Sequence, residues 1–175
     1  PTNSETGFLS IYREETQTGS ADEWLAGFVN ALETDCAVQS LPLRDEELYR
    51  YAGFGDTCPD AYMQNFIARL KREALSVCRP RFGYRLVSAR RENARTLTAG
   101  GQRLVPGPII VNCLKKSDFY AAIVASAGEE LQTWIEQKRA GEDIMEAFIA
   151  DALGSVIVEA VVSWGVALLE KKMAG

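Results

Sequence analysis

The chain has no histidine among its 175 residues. That absence removes the commonest general base and the usual partner of a nucleophilic serine or cysteine. It also excludes a Cys/His zinc site. Carboxylate, lysine or tyrosine chemistry stays open. Basic residues are in deficit too: 19 Lys and Arg stand against 24 Asp and Glu, a formal charge of -5. Nucleic acids are met by a basic face, so no nucleic-acid partner is expected. No P-loop, G-x-G-x-x-G or G-x-S-x-G segment occurs.

Long uninterrupted apolar runs are lacking as well. The most apolar stretch, Ala152 to Leu169, is broken by Glu159 and contains Ser155, Ser163, Gly154 and Gly165. A bilayer span takes about 20 predominantly apolar residues with few or no charges, so no membrane segment is expected. Pro1 to Gly7 lacks the basic-then-apolar order of a secretory signal, which points to a cytoplasmic location. Cys36, Cys58, Cys78 and Cys113 are widely spaced, with no C-x-x-C. They read as buried free thiols.

What is present suits one soluble domain of mixed helices and strands. The composition is 47% hydrophobic and 25% charged, ordinary for a globular chain. Residues 1–19 form a polar N-terminal extension in which Phe8 to Tyr12 could add an edge strand, and residues 20–175 form the core. Ser20 and Glu23 make an S-x-x-E helix start, followed by Trp24, Leu25, Phe28, Val29 and Leu32 on one face. A short helix is predicted from Asp45 to Ala52, ending at Gly53. Pro59 suits the first turn of the next helix, whose apolar stripe is Tyr62, Met63, Phe66, Ile67, Leu70 and Ala74.

Beyond Pro80 the period changes. Phe82, Tyr84 and Leu86 alternate with Gly83, Arg85 and Val87, a strand with one buried face. Thr96 to Thr98 and Gln102 to Val105 flank Ala99-Gly100-Gly101 as a hairpin. Residues 109–115 suit a short helix. Phe119 to Ala125 reads as a central strand running into Ser126-Ala127-Gly128-Glu129, a second S-x-x-E start, and a helix bearing Leu131, Trp134 and Ile135. After Gly141 a long final helix runs from about Asp143 to Lys172.

Three features bear on function. The final helix is apolar nearly all round, which requires burial on several sides. Asp151, Ser155, Glu159 and Ser163 lie four residues apart and form one polar stripe on it. That stripe is either a thin solvent-facing strip or a row of groups lining a cleft, with Gly154 permitting close approach beside it. Arg79, Arg81, Arg85, Arg90, Arg91 and Arg95 form the second feature. They are solvated charges guarding a sheet edge or a docking surface for an acidic protein or a phosphate-bearing ligand. The third is Ser126-Ala127-Gly128, either a simple cap or a turn whose free amides attract an anion.

Several segments, taken in order, resemble a known family. Glu47-Leu48-Tyr49-Arg50-Tyr51-Ala52-Gly53-Phe54 resembles the E-x-L-R-Y-L-G-Y segment of proteins related to the activation domain of cobalamin-dependent methionine synthase. Pro80-Arg81-Phe82-Gly83-Tyr84, Ile123-Val124-Ala125-Ser126-Ala127-Gly128, Asp151-Ala152-Leu153-Gly154-Ser155 and Val158-Glu159-Ala160 follow with similar order and spacing. The resemblance spans roughly Leu43 to Glu170 and rests on the ordered set rather than on any one motif.

The resemblance implies an α+β fold, a curved and mainly antiparallel sheet packed with helices, with a long C-terminal helix. It implies an accessory role beside a corrinoid-binding or methyltransferase protein, with a flavodoxin-like electron donor. The family's full-length members bind S-adenosylmethionine and cap the cobalamin during reductive remethylation. Their R-x-x-x-G-Y segment, which supplies much of the S-adenosylmethionine site, would begin where this chain ends at Gly175. Either a shortened relative without the usual S-adenosylmethionine site or a piece of a longer protein is therefore expected. No firmly bound cofactor is expected, only contact with a partner's cobalamin. Tyr84, Gly128, Asp151, Ser155 and Glu159 are the candidate cleft residues, and Arg85, Arg90 and Arg91 the candidate docking residues. The competing expectations are a small-molecule enzyme using Asp151 or Glu159 as acid or base, and a purely structural assembly module.

Overall fold

Asp60 opens the best-defined helix of the first half by accepting the Met63 backbone N–H on its carboxylate at 2.8 Å. This is the ordinary way to satisfy an orphan amide of the first turn. The computed structural model describes residues 8–9, 34–99, 101–114 and 119–173. The Ser20–Glu23 helix start and its apolar face lie outside them. The described strands are β1 (Phe8–Leu9), β2 (Thr34–Asp35), β3 (Arg81–Arg91), β4 (Leu97–Ala99), β5 (Gln102–Leu104) and β6 (Phe119–Ser126). The helices are α1 (Asp45–Tyr51), α2 (Ala61–Val77), α3 (Pro108–Cys113), α4 (Glu129–Ala140) and α5 (Ile144–Met173). The fold is α+β, with strand order β1-β6-β3-β4-β5 and β2 pairing β3 off that path. The sheet is curved and not closed. β3 pairs antiparallel with both β2 and β4, as does β4 with β5, whereas β1 pairs β6 in parallel.

The chain divides into two compact units, Pro1–Leu32 with Gly83–Val124, and Glu33–Phe82 with Ala125–Gly175. In the second, helical unit, α1 begins with Asp45, Glu46 and Glu47 and ends near Arg50, charges that suit the two ends of a helix dipole. Pro59 does not enter the first turn of α2 as expected. It precedes the Asp60 cap and is buried, because the aspartate can accept an amide and the proline cannot. The α2 stripe buries Ile67, Leu70 and Ala74, while Tyr62 is exposed.

α4 buries Leu131, Trp134 and Ile135, as the spacing predicts. The S-x-x-E reading of its start is corrected. Gly128 is the N-cap with no side-chain cap, and Ser126 Oγ instead accepts the Gly128 N–H at 3.1 Å. Gly128 has φ +98, so the backbone turns too sharply for Ser126 to reach the helix amides. α5 is capped by Asp143, whose Oδ1 accepts from Met145 N at 2.9 Å and Glu146 N at 3.1 Å. It packs on α1, α2 and α4 and buries Ile149, Leu153, Val156, Ile157, Val161 and Leu169.

Two glycines set that packing. A Cβ on Gly154 would stand 2.6 Å from Ile135 Cδ1 of α4, and one on Gly165 would stand 2.2 Å from the Phe82 ring. Phe82 also meets Trp164 edge to face, with ring centroids 6.3 Å apart. The expectation that no stretch reads as a membrane span is not met on length and composition alone. Ile144–Lys172 has a mean hydropathy of 2.0 in its most apolar window, with 44% of that window buried within the molecule.

In the other unit β4 and β5 pair as a hairpin, with Ala99 opposite Gln102. Gly101 has φ +82, which the tight turn demands. Leu97, Leu104, Val111, Leu114 and Tyr120 form the core, joined by Val87, Ala89, Ala99 and Ile110. The alternation expected along β3 is corrected here. Phe82 is buried and Tyr84 half-buried, but Leu86 is 56% exposed. Past Leu86 it is the odd-numbered Val87 and Ala89 that pack against this core.

The four cysteines are free, but only Cys36 and Cys78 are buried; Cys58 and Cys113 are exposed. The expectation of four buried thiols therefore holds for two. Burial pushes the Cys78 thiol up to about 11, and its Sγ donates to Ala127 O at 3.3 Å.

Candidate functional site

The spacing of Asp151, Ser155, Glu159 and Ser163 does place them on one strip of α5, and all four are exposed. Of the two readings, the structure supports the solvent-facing strip. The Asp151 carboxylate, 58% exposed, pairs with Arg139 of α4. Glu159 Oε1 accepts from the Tyr51 hydroxyl of α1. Ser155 Oγ donates back to Asp151 O at 3.3 Å, a bond internal to the helix. Both carboxylates thus tie α5 to a neighbouring helix rather than face an enclosed space.

Gly128 is not on this strip. It opens α4, where a Cβ would lie 2.9 Å from Arg79 Cβ and 3.0 Å from Arg79 O. Arg79 N donates to Ala127 O at 2.8 Å, so the turn is closed by the chain itself. Glu129 and Glu130 occupy the first turn of α4, which disfavours an anion there. Tyr84 lies on the part of β3 that belongs to the hairpin unit. Of the five candidate cleft residues, Gly128, Asp151, Ser155 and Glu159 belong to the helical unit and Tyr84 to the hairpin unit.

Arg85, Arg90 and Arg91 are all exposed on β3. Arg90 stands opposite Thr98 and Arg91 opposite Leu97, so adjacent side chains leave the strand on opposite faces. Among the described residues no ion pair engages Arg85, Arg90, Arg91 or Arg95. Arg103 of β5 instead holds Glu92 at 3.1 Å. The Thr98 hydroxyl and then Arg103 keep the Glu92 carboxyl below the usual range. Residues 83–124 carry seven Lys and Arg against two acids, a net charge of +5. The rest of the chain carries twelve against twenty-two, a net -10. The overall charge of -5 conceals this segregation.

One arrangement escaped the sequence reading altogether. Arg69 reaches Glu73 at 2.9 Å and Glu146 at 2.6 Å, and Lys138 reaches Glu73 at 3.0 Å and Glu146 at 3.1 Å. The four charges alternate in a ring that joins α2, α4 and α5. Arg69 also lies over the Phe66 ring, and Lys138 over the Trp134 ring. Arg69 and Glu73, four apart on one helix, were a visible signal; the cross-helix members were not.

Hydrogen bonds from Arg69 and Lys138 hold the Glu146 carboxyl below the ordinary range. Burial works against ionisation of Glu73, but Lys138 and Arg69 outweigh it and lower its carboxyl as well. Carboxyls lowered on folding stabilise fully above the unfolded value of about 4.3 and lose that contribution as pH falls through the folded values. The thermal midpoint of the helical unit is expected to fall on acidification below about pH 4.3. Glu146→Gln should cost about 1 kcal/mol at neutral pH and shrink the difference between the neutral and acid midpoints. An unchanged difference would show that the ring contributes nothing.

Among the described residues no group of three or more Cys, Asp and Glu is placed to hold a metal ion. A shallow depression at the start of α5 is lined by Glu142, Asp143, Ile144, Met145 and Phe148. No protein-family model matches the chain, and neither does any curated protein.

Proposed function

We propose that this chain is a non-catalytic accessory protein that docks on a cobalamin-dependent methyltransferase and assists reductive reactivation of its corrinoid. The observation that carries the docking half is that Arg85, Arg90 and Arg91 are exposed and make no ion pair among the described residues, in a segment of net +5. Exposed cations of this kind steer an acidic partner towards the strand that bears them. The corrinoid half rests on the ordered resemblance from Glu47 through Glu159 to the methionine synthase activation domain, with its flavodoxin-like donor.

The candidate cleft lends less support to a catalytic role or to S-adenosylmethionine binding. A carboxylate acting as acid or base at neutral pH needs a dry pocket to raise its pKa, and Asp151 is exposed and paired with Arg139. With no histidine in the chain, a histidine ligand to cobalt would have to come from the partner. Calorimetry against a cobalamin-loaded methyltransferase should show binding at low salt that weakens steeply as salt rises. No binding at low salt, together with a thermal shift by S-adenosylmethionine alone, would favour the small-molecule reading instead.

A further inference from the structure

Three large apolar side chains stand exposed where α5 begins: Ile144 at 84%, Phe148 at 49% and Met145 at 44%. They line one shallow depression with Glu142 and Asp143, so they form a single patch. Apolar side chains scattered singly over a surface are ordinary, but a contiguous group marks an interaction site. The patch continues a face already described. From Ile144 the steps to Phe148, Asp151, Ser155 and Glu159 are four, three, four and four residues, which is one side of a helix. All five are exposed. The open side of α5 is therefore apolar at its start and polar beyond.

The charges along it are acidic and lack cations. Glu142, Asp143 and Glu159 make no ion pair among the described residues. The cations at the end of α4 are already engaged, Lys138 by Glu73 and Glu146 and Arg139 by Asp151. The whole helical unit carries eleven Lys and Arg against seventeen Asp and Glu, a net -6. We propose that the start of α5 docks an amphipathic helix rich in lysine or arginine from a partner protein. Its apolar side chains seat on Ile144, Met145 and Phe148, as helices seat on apolar surface elsewhere. Its cations meet the carboxylates, which supply orientation and salt dependence. The same carboxylates repel the anionic headgroups of a membrane surface. This surface is separate from the arginines assigned to the methyltransferase and opposite in charge, so either assignment can fail without the other.

Fluorescence anisotropy of a labelled, helix-forming peptide of leucine and lysine, titrated with the whole chain, tests it. The peptide should bind at low salt and be released as salt rises, and a leucine–glutamate peptide of the same pattern should not bind. Ile144→Ser with Phe148→Ser should weaken binding about tenfold or more. Glu142→Gln should weaken it less and flatten its salt dependence. Ile109→Ser removes an apolar side chain that is 78% exposed in the hairpin unit, and it should leave binding unchanged. These positions are exposed, so the variants should keep the parent's circular dichroism and thermal midpoint. No binding of the lysine peptide, or equal binding by the parent and the Ile144→Ser, Phe148→Ser protein, overturns the proposal. So does association with phosphatidylcholine vesicles, or a rise of the chain's own mass with concentration, that this double substitution abolishes. Those results would give the patch to a lipid surface or to a second copy.

Discussion

Replacing Gly165 by alanine is expected to destabilise the helical unit by about 2 kcal/mol or more. On an ordinary helix the same change gains about 1 kcal/mol, so even the sign is informative. The new Cβ would stand 2.2 Å from two atoms of the Phe82 ring. Phe82 is 1% exposed and packs edge to face on Trp164, so the ring cannot swing aside without opening its own contacts. Phe82→Leu removes the obstructing edge at the cost of a small cavity. The double variant should therefore lose at least about 1 kcal/mol less than the two single changes summed. Urea unfolding followed by tryptophan fluorescence, to which Trp164 and Trp134 contribute, reads both numbers. A Gly165→Ala protein as stable as the parent would mean that α5 and Phe82 do not meet as described.

Gly128→Ala should be the second severe substitution, with a loss of about 3 kcal/mol, strain and overpacking together. Its φ of +98 lies where an L side chain rarely goes. The added Cβ would also press on Arg79 Cβ, O and N at 2.9, 3.0 and 3.1 Å. Two of those are backbone atoms that cannot rotate away, and the bond from Arg79 N to Ala127 O depends on that approach. Gly53 supplies the comparison. It has φ +81, but nothing lies within 4 Å of its Cβ position, so Gly53→Ala should cost only the conformational strain, about 1 kcal/mol. Equal losses at the two positions would show that the close approach of Arg79 to Gly128 contributes nothing.

Most elements were legible because their signals are local. The α4 stripe of Leu131, Trp134 and Ile135, the glycine hairpin between β4 and β5, and the extent of α5 all follow from period and punctuation. The polar stripe was legible as a stripe, since four-residue spacing fixes one face of a helix. What it faces was not, because that depends on Tyr51 and Arg139, which come from α1 and α4. The change of buried parity along β3 was hidden for the same reason. Leu86 continues the alternation in sequence, but the hairpin core takes Val87 and Ala89.

Pro59 and Ser126 show how neighbours compete for one role. Asp60 outdoes the first as a helix start, and the Gly128 turn diverts the second. The arginines were visible from the outset, but not the contrast that gives them meaning. Residues 83–124 carry a net +5 in a protein of net -5, a contrast that the whole-chain charge hides.

Affinity of the Arg85→Glu, Arg90→Glu, Arg91→Glu protein for a cobalamin-loaded methyltransferase, measured beside an Asp151→Asn, Glu159→Gln protein, tests the central claim most directly. If the chain acts by docking through its arginine surface, the triple charge reversal weakens binding by about tenfold or more, about 1.4 kcal/mol. The carboxylate variant then binds like the parent. Unchanged binding in the triple variant, with loss in the carboxylate variant, would move the function from the hairpin surface to the polar strip of α5 and contradict the account.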